Sequence, residues 1–490
     1  MKMKKGIALL LSVLLVLIAV VGCSAPTNSE EANEGQEQSS ETNQGSAPAA
    51  ESDDVVAQLV AEASQLSGID AYNFFNSLED KGLTDDQIIQ FFIDLPISQA
   101  NQQVYDLYMS DALDIYAETA PQGVMYDDYT WERGSGTDIT GEFTGNDVKM
   151  AFTDYVPVED GPIGDPNKTY KVGVVIIGMI DSWMANLYDS IAWEAARHEN
   201  LELIWMDYGL DNDGCAQAID TLIAQDVDAI LLWPRSEAPT GPPAQRAIEA
   251  GIPVITVDRL SGYEDVTSRV HGNFPANGAQ AGMYLVWKLG QESGGTEIKG
   301  DIVLLRKAAG VTADTLRCGY FLKVISYFPD INILQSYYDN DDREQSLRNV
   351  QDALQAYDNI DAFFCEGLTQ NPVAYEAIKS ADRMYSRENG EKIILLTIDD
   401  TKETFAMLHN GDVEMNSPYP PLIGDIGLRV VEKILAGEEM PQDIALPNIP
   451  MVTLNGDKIF GLQTQAATDW DQYASGPEYE GGTADQGTES

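Results

Sequence analysis

Between residues 171 and 287 the chain alternates between two hydrophobic rhythms. Val172 to Ile177 (VGVVII) is an unbroken apolar run, as in a parallel strand whose two faces are both covered by helices. Leu187, Ile191 and Ala195 then recur four apart, which sets one apolar stripe of a helix against a sheet. The cycle repeats through Leu201 to Met206 (LELIWM), a helix carrying Ala218, Ile219, Leu222 and Ile223, the run Val227 to Trp233 (VDAILLW), a helix near Ala244 to Ala250, and Ile252 to Val257 (IPVITV). Strands and helices taking turns in this way predict an open α/β sheet, with a ligand site beyond the carboxyl ends of the strands.

A second set of such units follows. Ile302 to Leu305, Ile331 to Tyr337, Ile360 to Phe364 and Ile393 to Ile398 read as strands. Helices are expected between them over Ala313 to Phe328, Glu344 to Tyr357 and near Val373 to Ser380. Two successive α/β halves in a chain of 490 residues fit two domains.

The flanks follow other rules. Met1 to Lys5 is basic, Ile7 to Val21 is apolar and Val20-Val21-Gly22-Cys23 looks like a lipobox, so residues 1–23 read as a lipoprotein signal peptide with Cys23 as the lipidation site. An uncleaved anchor helix is the alternative, and either would export the chain. Several acyl chains on Cys23 would hold the protein on the membrane far more firmly than a single chain could. Residues 24–52 are Ser, Glu, Gln, Asn and Ala with almost no large apolar side chain, the composition of a disordered tether.

Residues 53–165 read as a mainly helical accessory region and linker. Val55, Leu59, Ala63 and Leu66 have helical spacing, Thr84-Asp85-Asp86-Gln87 offers a capping box, and a third helix is expected over Ala100 to Ala117. Short strands or an irregular packed segment are expected over residues 130–155, and Gly161-Pro162-Ile163-Gly164-Asp165-Pro166 punctuates a boundary near 165. Packing against the α/β lobes is the expected role of the region, ahead of a separate partner-binding role. Residues 464–490 return to polar, acidic low complexity and read as a disordered tail.

Composition narrows the partners. Asp and Glu number 79 against 29 Lys and Arg, a formal net charge of −50 that repels nucleic acid and acidic wall polymers and reads as general surface solvation. Asp211-Asn212-Asp213-Gly214 lacks the closing Glu of a calcium loop. Beyond Cys23 the cysteines are Cys215, Cys318 and Cys365; at most one pair can form among three, and all sit where small buried hydrophobes usually do. No CxxC or Cys/His cluster occurs, and with three His in the chain no metal site is expected, nor any cofactor. GxSxG, GxxxxGK[ST] and HExxH are absent, which counts against the commonest hydrolases and NTPases.

The candidate chemistry stands at the strand ends: Asp181-Ser182-Trp183 after the first strand, Trp233-Pro234-Arg235-Ser236 after the third, Asp258-Arg259 after the fourth. VGVVIIGMIDSWMANLYDSIAWEAA, VDAILLWPRSEA, GIPVITVDR and GDIVLLRKAAG, in this order and spacing, resemble the periplasmic sugar-binding proteins of the ribose-binding and galactose-binding type, from about residue 170 to about 460. The resemblance implies a two-lobed type I periplasmic-binding-protein fold over residues 166–463. Lobe 1 would take about 170–273 and 419–446, and lobe 2 about 277–416 and 449–463. The chain would cross between lobes first along a strand from Val270 to Asn277, then near Met415 to Tyr419, then near Pro447 to Thr453, and a helix over Ile423 to Leu435 would join lobe 1.

A sugar needs bidentate polar partners around its rim and an aromatic surface over a face. The resemblance carries ligand contacts onto Asp181, Trp183, Asp258 and Arg259, with Trp233 as a second aromatic wall. From the second lobe it brings Asp399 and the segment Asp314, Thr315 and Arg317, where the family places a sugar-binding Arg in a register open by about two residues. Glu366-Gly367-Leu368 and Ser417-Pro418 depart from the family pattern by removing amide donors. A ligand other than ribose is therefore expected, with Glu366, Thr369, Gln370 or Asn416 reading a different edge. The function expected is capture of a sugar or sugar-like solute by hinge closure for delivery to a membrane ABC permease. A receptor subunit presenting a small signal to a membrane sensor kinase is the alternative; a glycan-processing enzyme using Asp181, Asp258 and Asp399 ranks last. A structural reading stands beside each residue: Asp258-Arg259 as a loop ion pair, Arg317 on a solvated face, Asp399 as the cap of the helix after it.

Overall fold

A computed structural model describes residues 52–110, 137–139, 148–150, 152, 155–179 and 181–475. The expected signal peptide with Cys23, the expected tether up to Glu51 and the expected tail beyond Ser475 lie outside the described residues.

Four helices come first: α1 (Ser52–Ala63), α2 (Gly68–Ser77), α3 (Asp85–Asp94) and α4 (Gln102–Ser110). In α1 the buried stripe is Val56, Leu59 and Ala63, whereas Val55 points to solvent, so the apolar face is turned by one residue from the expected spacing. The expected capping box opens α3, with Thr84 and Gln87 exchanging side-chain and backbone hydrogen bonds. The first strands, β1 (Thr137–Ile139) and β2 (Val148–Met150), pair antiparallel.

The first lobe is built from β3 (Tyr170–Ile176), α5 (Ser182–Ala195), β4 (Leu201–Asp207), α6 (Asn212–Ala224), β5 (Ala229–Leu232), α7 (Glu237–Glu249), β6 (Val254–Val257) and β7 (Ser268–His271). The helix expected near Ala244 to Ala250 begins earlier, at Glu237, and holds Pro242 and Pro243 inside it. The chain then leaves through α8 (Phe274–Glu292). The expected crossing strand over Val270 to Asn277 is thus replaced by a strand ending at His271 and a helix starting at Phe274. The Asn273 side chain accepts from Ala276 N as an N-cap, and Pro275 suits the first turn.

The second lobe follows: β8 (Lys299–Arg306), α9 (Thr312–Ile325), β9 (Asp330–Tyr338), α10 (Arg343–Ala356), β10 (Ala362–Cys365), α11 (Gln370–Ser380), β11 (Ile394–Ile398), α12 (Lys402–His409) and β12 (Met415–Ser417). The chain returns to the first lobe with α13 (Gly424–Leu435) and β13 (Asp443–Ala445). It ends on the second with β14 (Val452–Thr453), the hairpin β15 (Lys458–Ile459) and β16 (Leu462–Gln463), β17 (Gln465–Ala466) and the short α14 (Ala467–Trp470).

The first sheet runs β13-β7-β6-β5-β3-β4, all parallel; the second runs β17-β14-β12-β11-β10-β8-β9, parallel except where β14 meets β12. The fold is therefore α/β with parallel sheets flanked by helices. Its strands are nearly continuous apolar runs because helices cover both faces.

The accessory helices pack on the second lobe. Phe75 meets Tyr327, Phe328 and Phe460 edge-on, and Asn101 Nδ2 donates to Phe328 O at 2.8 Å and Ile331 O at 2.6 Å. The segment up to β3 packs on the first lobe, where Tyr155 OH donates to Ala445 O at 2.5 Å. Packing against the lobes is what the described residues of this region do.

The expected disordered tail is corrected for residues 464–475. They form β17, α14 and a 3-10 turn, with Trp470, Tyr473 and Ala474 buried, because two aromatic anchors outweigh the polar residues around them. Trp470 Nε1 donates to Asp400 Oδ2 at 3.1 Å. Cys215, Cys318 and Cys365 are all buried free thiols.

Candidate binding cleft

The carboxyl ends of β3 and β6 face those of β8, β9 and β11 across a cleft. Asp181, Trp183, Met184, Asp258 and Arg259 line it from the first lobe; Lys307, Ala313, Arg317, Asp341, Leu368, Thr369 and Asp399 from the second; Phe274 and Tyr419 from the crossing segments. Asp258 and Asp399 both take left-handed backbone, φ 69° and 76°, immediately after their strands. That conformation is rare outside glycine but favoured several-fold by Asp. It turns each carboxylate off the strand direction and into the cleft.

Asp258 is the centre of the first-lobe side. Trp233 Nε1 donates to its Oδ2 at 2.8 Å and Tyr419 OH to its Oδ1 at 2.7 Å, while Arg259 Nε stands 3.4 Å from Oδ2. Arg259 is itself fixed by a bond from NH1 to Arg235 O at 3.0 Å. Trp183 is held by its Nε1 bond to Tyr419 O, at 2.8 Å, and stacks on the Tyr419 ring, 5.8 Å between centroids. Tyr419 in turn stacks on Phe274 at 4.6 Å. Trp183, Tyr419 and Phe274 form a ladder of rings, with the Arg317 guanidinium 4.9 Å and 5.1 Å from the last two.

On the second-lobe side Arg317 is gripped from two directions. Its NH2 donates to Asp399 Oδ1 at 2.5 Å and its NH1 to Glu366 O at 2.7 Å. Lys307 Nζ lies 3.3 Å from Asp341 Oδ1. Burial would lower the Lys307 pKa, but Asp341 and Asp399 outweigh it and leave the ammonium raised. For Asp341 burial is likewise overruled, by Lys307 and Arg259, and its pKa falls. For Asp181 burial prevails: it raises the pKa, against a bond from Met184 N to Oδ1 at 2.8 Å and the charge of Lys307. Gly367 is required here, since a Cβ would sit 2.6 Å from Asp399 Oδ2 and 2.7 Å from Lys307 Nζ.

Seven of the residues named from sequence meet in the cleft: Asp181, Trp183, Asp258, Arg259, Arg317, Thr369 and Asp399. Six do not line it, among them Gln370, whose Nε2 donates to Asp339 Oδ2 at 2.7 Å. Trp233 lies behind, holding Asp258 and packing on Trp183. Asp314, one turn from Arg317, is turned inward to a two-point ion pair with Arg306, at 2.9 and 2.8 Å, and Thr315 is also buried off the cleft. Of these three residues Arg317 alone lines the cleft. Glu366 accepts from Lys307 N at 2.8 Å with its side chain fully buried, and burial together with Asp314 raises its pKa well above the usual carboxylate range. Asn416 donates to Asp400 Oδ1 at 3.0 Å instead of entering the cleft. Ser417 accepts from Asn277 Nδ2 at 3.0 Å, so it serves the crossing and not the cleft.

The capping alternative for Asp399 does not apply, because Thr401 caps α12; Asp181 is the residue that also caps a helix, α5. Arg317 is buried, which removes its reading as a solvated side chain. Lys307, Asp341, Phe274 and Tyr419 were missed. Lys307 and Asp341 follow β8 and β9, so the strand-end rule finds them; Tyr419 sits in an irregular crossing with no periodic signal.

The sequence pattern of the periplasmic binding protein domain matches residues 172–439, more than half of the 490. The chain is similar to the ribose import binding protein of Bacillus subtilis (strain 168), 24% identical over 281 residues, 57% of this chain and 86% of the relative. Among solved structures it is similar in fold to the periplasmic binding component of the arabinose ABC transporter from Shewanella sp. ANA-3, bound to arabinofuranose. That likeness has TM-score 0.51 and 24% identity, over 57% of this chain and 90% of the other. The fructose-binding periplasmic domain of a hybrid two-component system shares the fold at TM-score 0.50 and 24% identity, over 56% and 88%. The ribose and arabinose proteins are sugar-binding components of transport, not enzymes. With the cleft at its strand ends and the matched pattern running through both lobes, the chain belongs to the periplasmic binding protein family.

Proposed function

We propose that this protein is an extracytoplasmic solute-binding protein that captures a sugar or sugar-like ligand between its lobes and delivers it to a membrane ABC permease, tethered through a lipid on Cys23. The observation that supports this most is the cleft's mixture of partners. Carboxylates fixed in orientation by protein donors, and guanidiniums fixed by protein acceptors, stand beside a ladder of ring faces, the complement of hydroxyls around a sugar rim and C–H on its faces. In this reading Asp181, Trp183, Asp258, Arg259, Arg317 and Asp399 contact the ligand, with Lys307, Asp341 and Tyr419 beside them. Trp233, Asp314 and Glu366 hold those residues in place, and Thr315 and Asn416 make no ligand contact. With Glu366 and Ser417 engaged inside the lobe and its crossing, the ligand is a sugar other than ribose itself.

Melting the full chain against pentoses, hexoses, disaccharides, nucleosides and furanose signals tests this reading. A ligand at a hundredfold excess over its Kd adds about 2.7 kcal/mol and raises the melting temperature. A sugar hit that Asp258→Asn abolishes supports the reading; silence across the panel rejects a sugar ligand. The receptor reading keeps the same cleft and changes what reads its closure; the likeness to a two-component periplasmic domain favours it. Co-purification from membranes with a permease or with a histidine kinase separates the two.

A further inference from the structure

At the end of α5 remote from the cleft, a second cluster of charge lies between α5 and α13. Glu194, His198 and Glu432 are all buried and each brings one ligand atom to a point where the three lie within 4.8 Å of one another. His198 Nδ1 is 2.8 Å from Gly161 O. A carbonyl only accepts, so Nδ1 carries the hydrogen and Nε2 faces Glu194 Oε1 at 3.4 Å and Glu432 Oε2 at 3.2 Å. Beyond that approach to His198, neither oxygen of Glu432 accepts a hydrogen bond from the described residues.

The carboxylates of the cluster are unequally partnered. Glu194, Glu432 and Asp425 are buried against one buried guanidinium, Arg429, whose Nε is 2.8 Å from Glu194 and whose NH2 is 2.9 Å from Asp425. Arg197, at the rim, is divided between Glu194 at 2.6 Å and the exposed Asp160 at 2.7 Å. Glu194 therefore has two guanidinium partners, whereas the buried Glu432 has the His198 ring alone, a costly arrangement in a dry site.

We propose that Glu194, His198 and Glu432 form a binding site for one divalent transition-metal ion, of which zinc is the type. Imidazole with carboxylates is a donor set for zinc and its first-row neighbours. The 3.2 and 3.4 Å edges match the roughly 3.4 Å between ligands placed about 2.1 Å from a tetrahedral ion. The Nδ1 bond to Gly161 O is the outer bond that fixes the tautomer of a metal-binding His. Such an ion would fasten the segment leading into the first lobe, which Arg197 also holds through Val158 O at 2.8 Å and Arg429 through Tyr155 O at 2.9 Å. Asp181 caps one end of α5 and Glu194 lies near the other, roughly 20 Å along the helix, so the site stands apart from the sugar cleft.

Sequence reading had no route to this cluster, because Glu432 comes from a different crossing of the chain and the three residues form no local motif. The test is calorimetric titration of chelator-treated full chain with zinc chloride, with melting in parallel. The result expected is uptake of one zinc per chain with a raised melting temperature, and a loss of affinity of more than tenfold in both His198→Gln and Glu432→Gln. Should His198→Gln fail to fold, Glu432→Gln, which keeps the shape and removes only the charge, decides. Absence of stoichiometric uptake by the wild type would overturn the proposal and assign the balancing charges to protons. Uptake unchanged in the variants would overturn it by placing the zinc elsewhere.

Discussion

Asp258 carries the largest burden of any single residue in the cleft. Trp233, Tyr419 and Arg259 all converge on it, and two of those donors are buried with no other acceptor in view. In Asp258→Asn one buried donor faces an amide NH2, so the variant should lose roughly 2–4 kcal/mol in urea unfolding as well as ligand binding. Glu366 gives the opposite expectation. Burial and the neighbouring Asp314 push its pKa up and so favour the protonated form, and Glu366→Gln, which mimics that form, should stay within about 1 kcal/mol of wild type in the same unfolding measurement. A loss of several kcal/mol would show that the carboxylate is ionised. At this scale the sequence was readable where a residue type and a strand end coincide, as at Asp181, Asp258 and Asp399. It was unreadable where direction decides: Asp314 and Arg317 lie on one helix, yet one turns to Arg306 and the other to Asp399.

Between elements, α9 and α7 make one of the contacts that join lobe to lobe. The Thr312 hydroxyl, at the start of α9, accepts from Leu260 N at 3.1 Å and donates to Glu237 Oε1 on α7. Thr312→Val keeps the shape and removes both bonds, worth roughly 1 kcal/mol each. Small-angle scattering should show a larger radius of gyration for the variant without ligand, and any ligand should bind it more weakly; an unchanged profile would mean that closure does not use this contact. The C-terminal element is a second case. Trp470 is fully buried against Asp400, so Trp470→Ala should cost roughly 3–5 kcal/mol in thermal or urea unfolding. Strand and helix units were legible because periods of apolar residues survive in any context. The crossing at His271 to Phe274 and the packed residues 464–475 were not, since each depends on one cap or two aromatic anchors in otherwise polar chain.

Over the whole molecule the net charge of −50 opposes compactness, and the buried acids add a pH term of known sign. Burial raises Asp339 to about 6 and Asp400 to about 7, above their unfolded value near 3.8. A raised folded pKa means that each group's contribution is fully present below the unfolded value and lost as pH rises through 6 to 7. Asp341 is lowered and loses its contribution only under more acidic conditions, so it does not oppose the trend. The melting temperature should therefore rise as pH falls from about 8 to about 5, and Asp400→Asn should flatten part of that slope.

The central claim is that a sugar sits between the lobes on the ring of Trp183. Tryptophan emission titrated with the sugar identified by melting, in wild type and Trp183→Phe, tests it directly. A saturable change in the wild type that disappears in Trp183→Phe, while calorimetry still detects weakened binding, is the result predicted. Binding heat with the same emission change in both proteins would place the sugar outside the cleft and contradict the account.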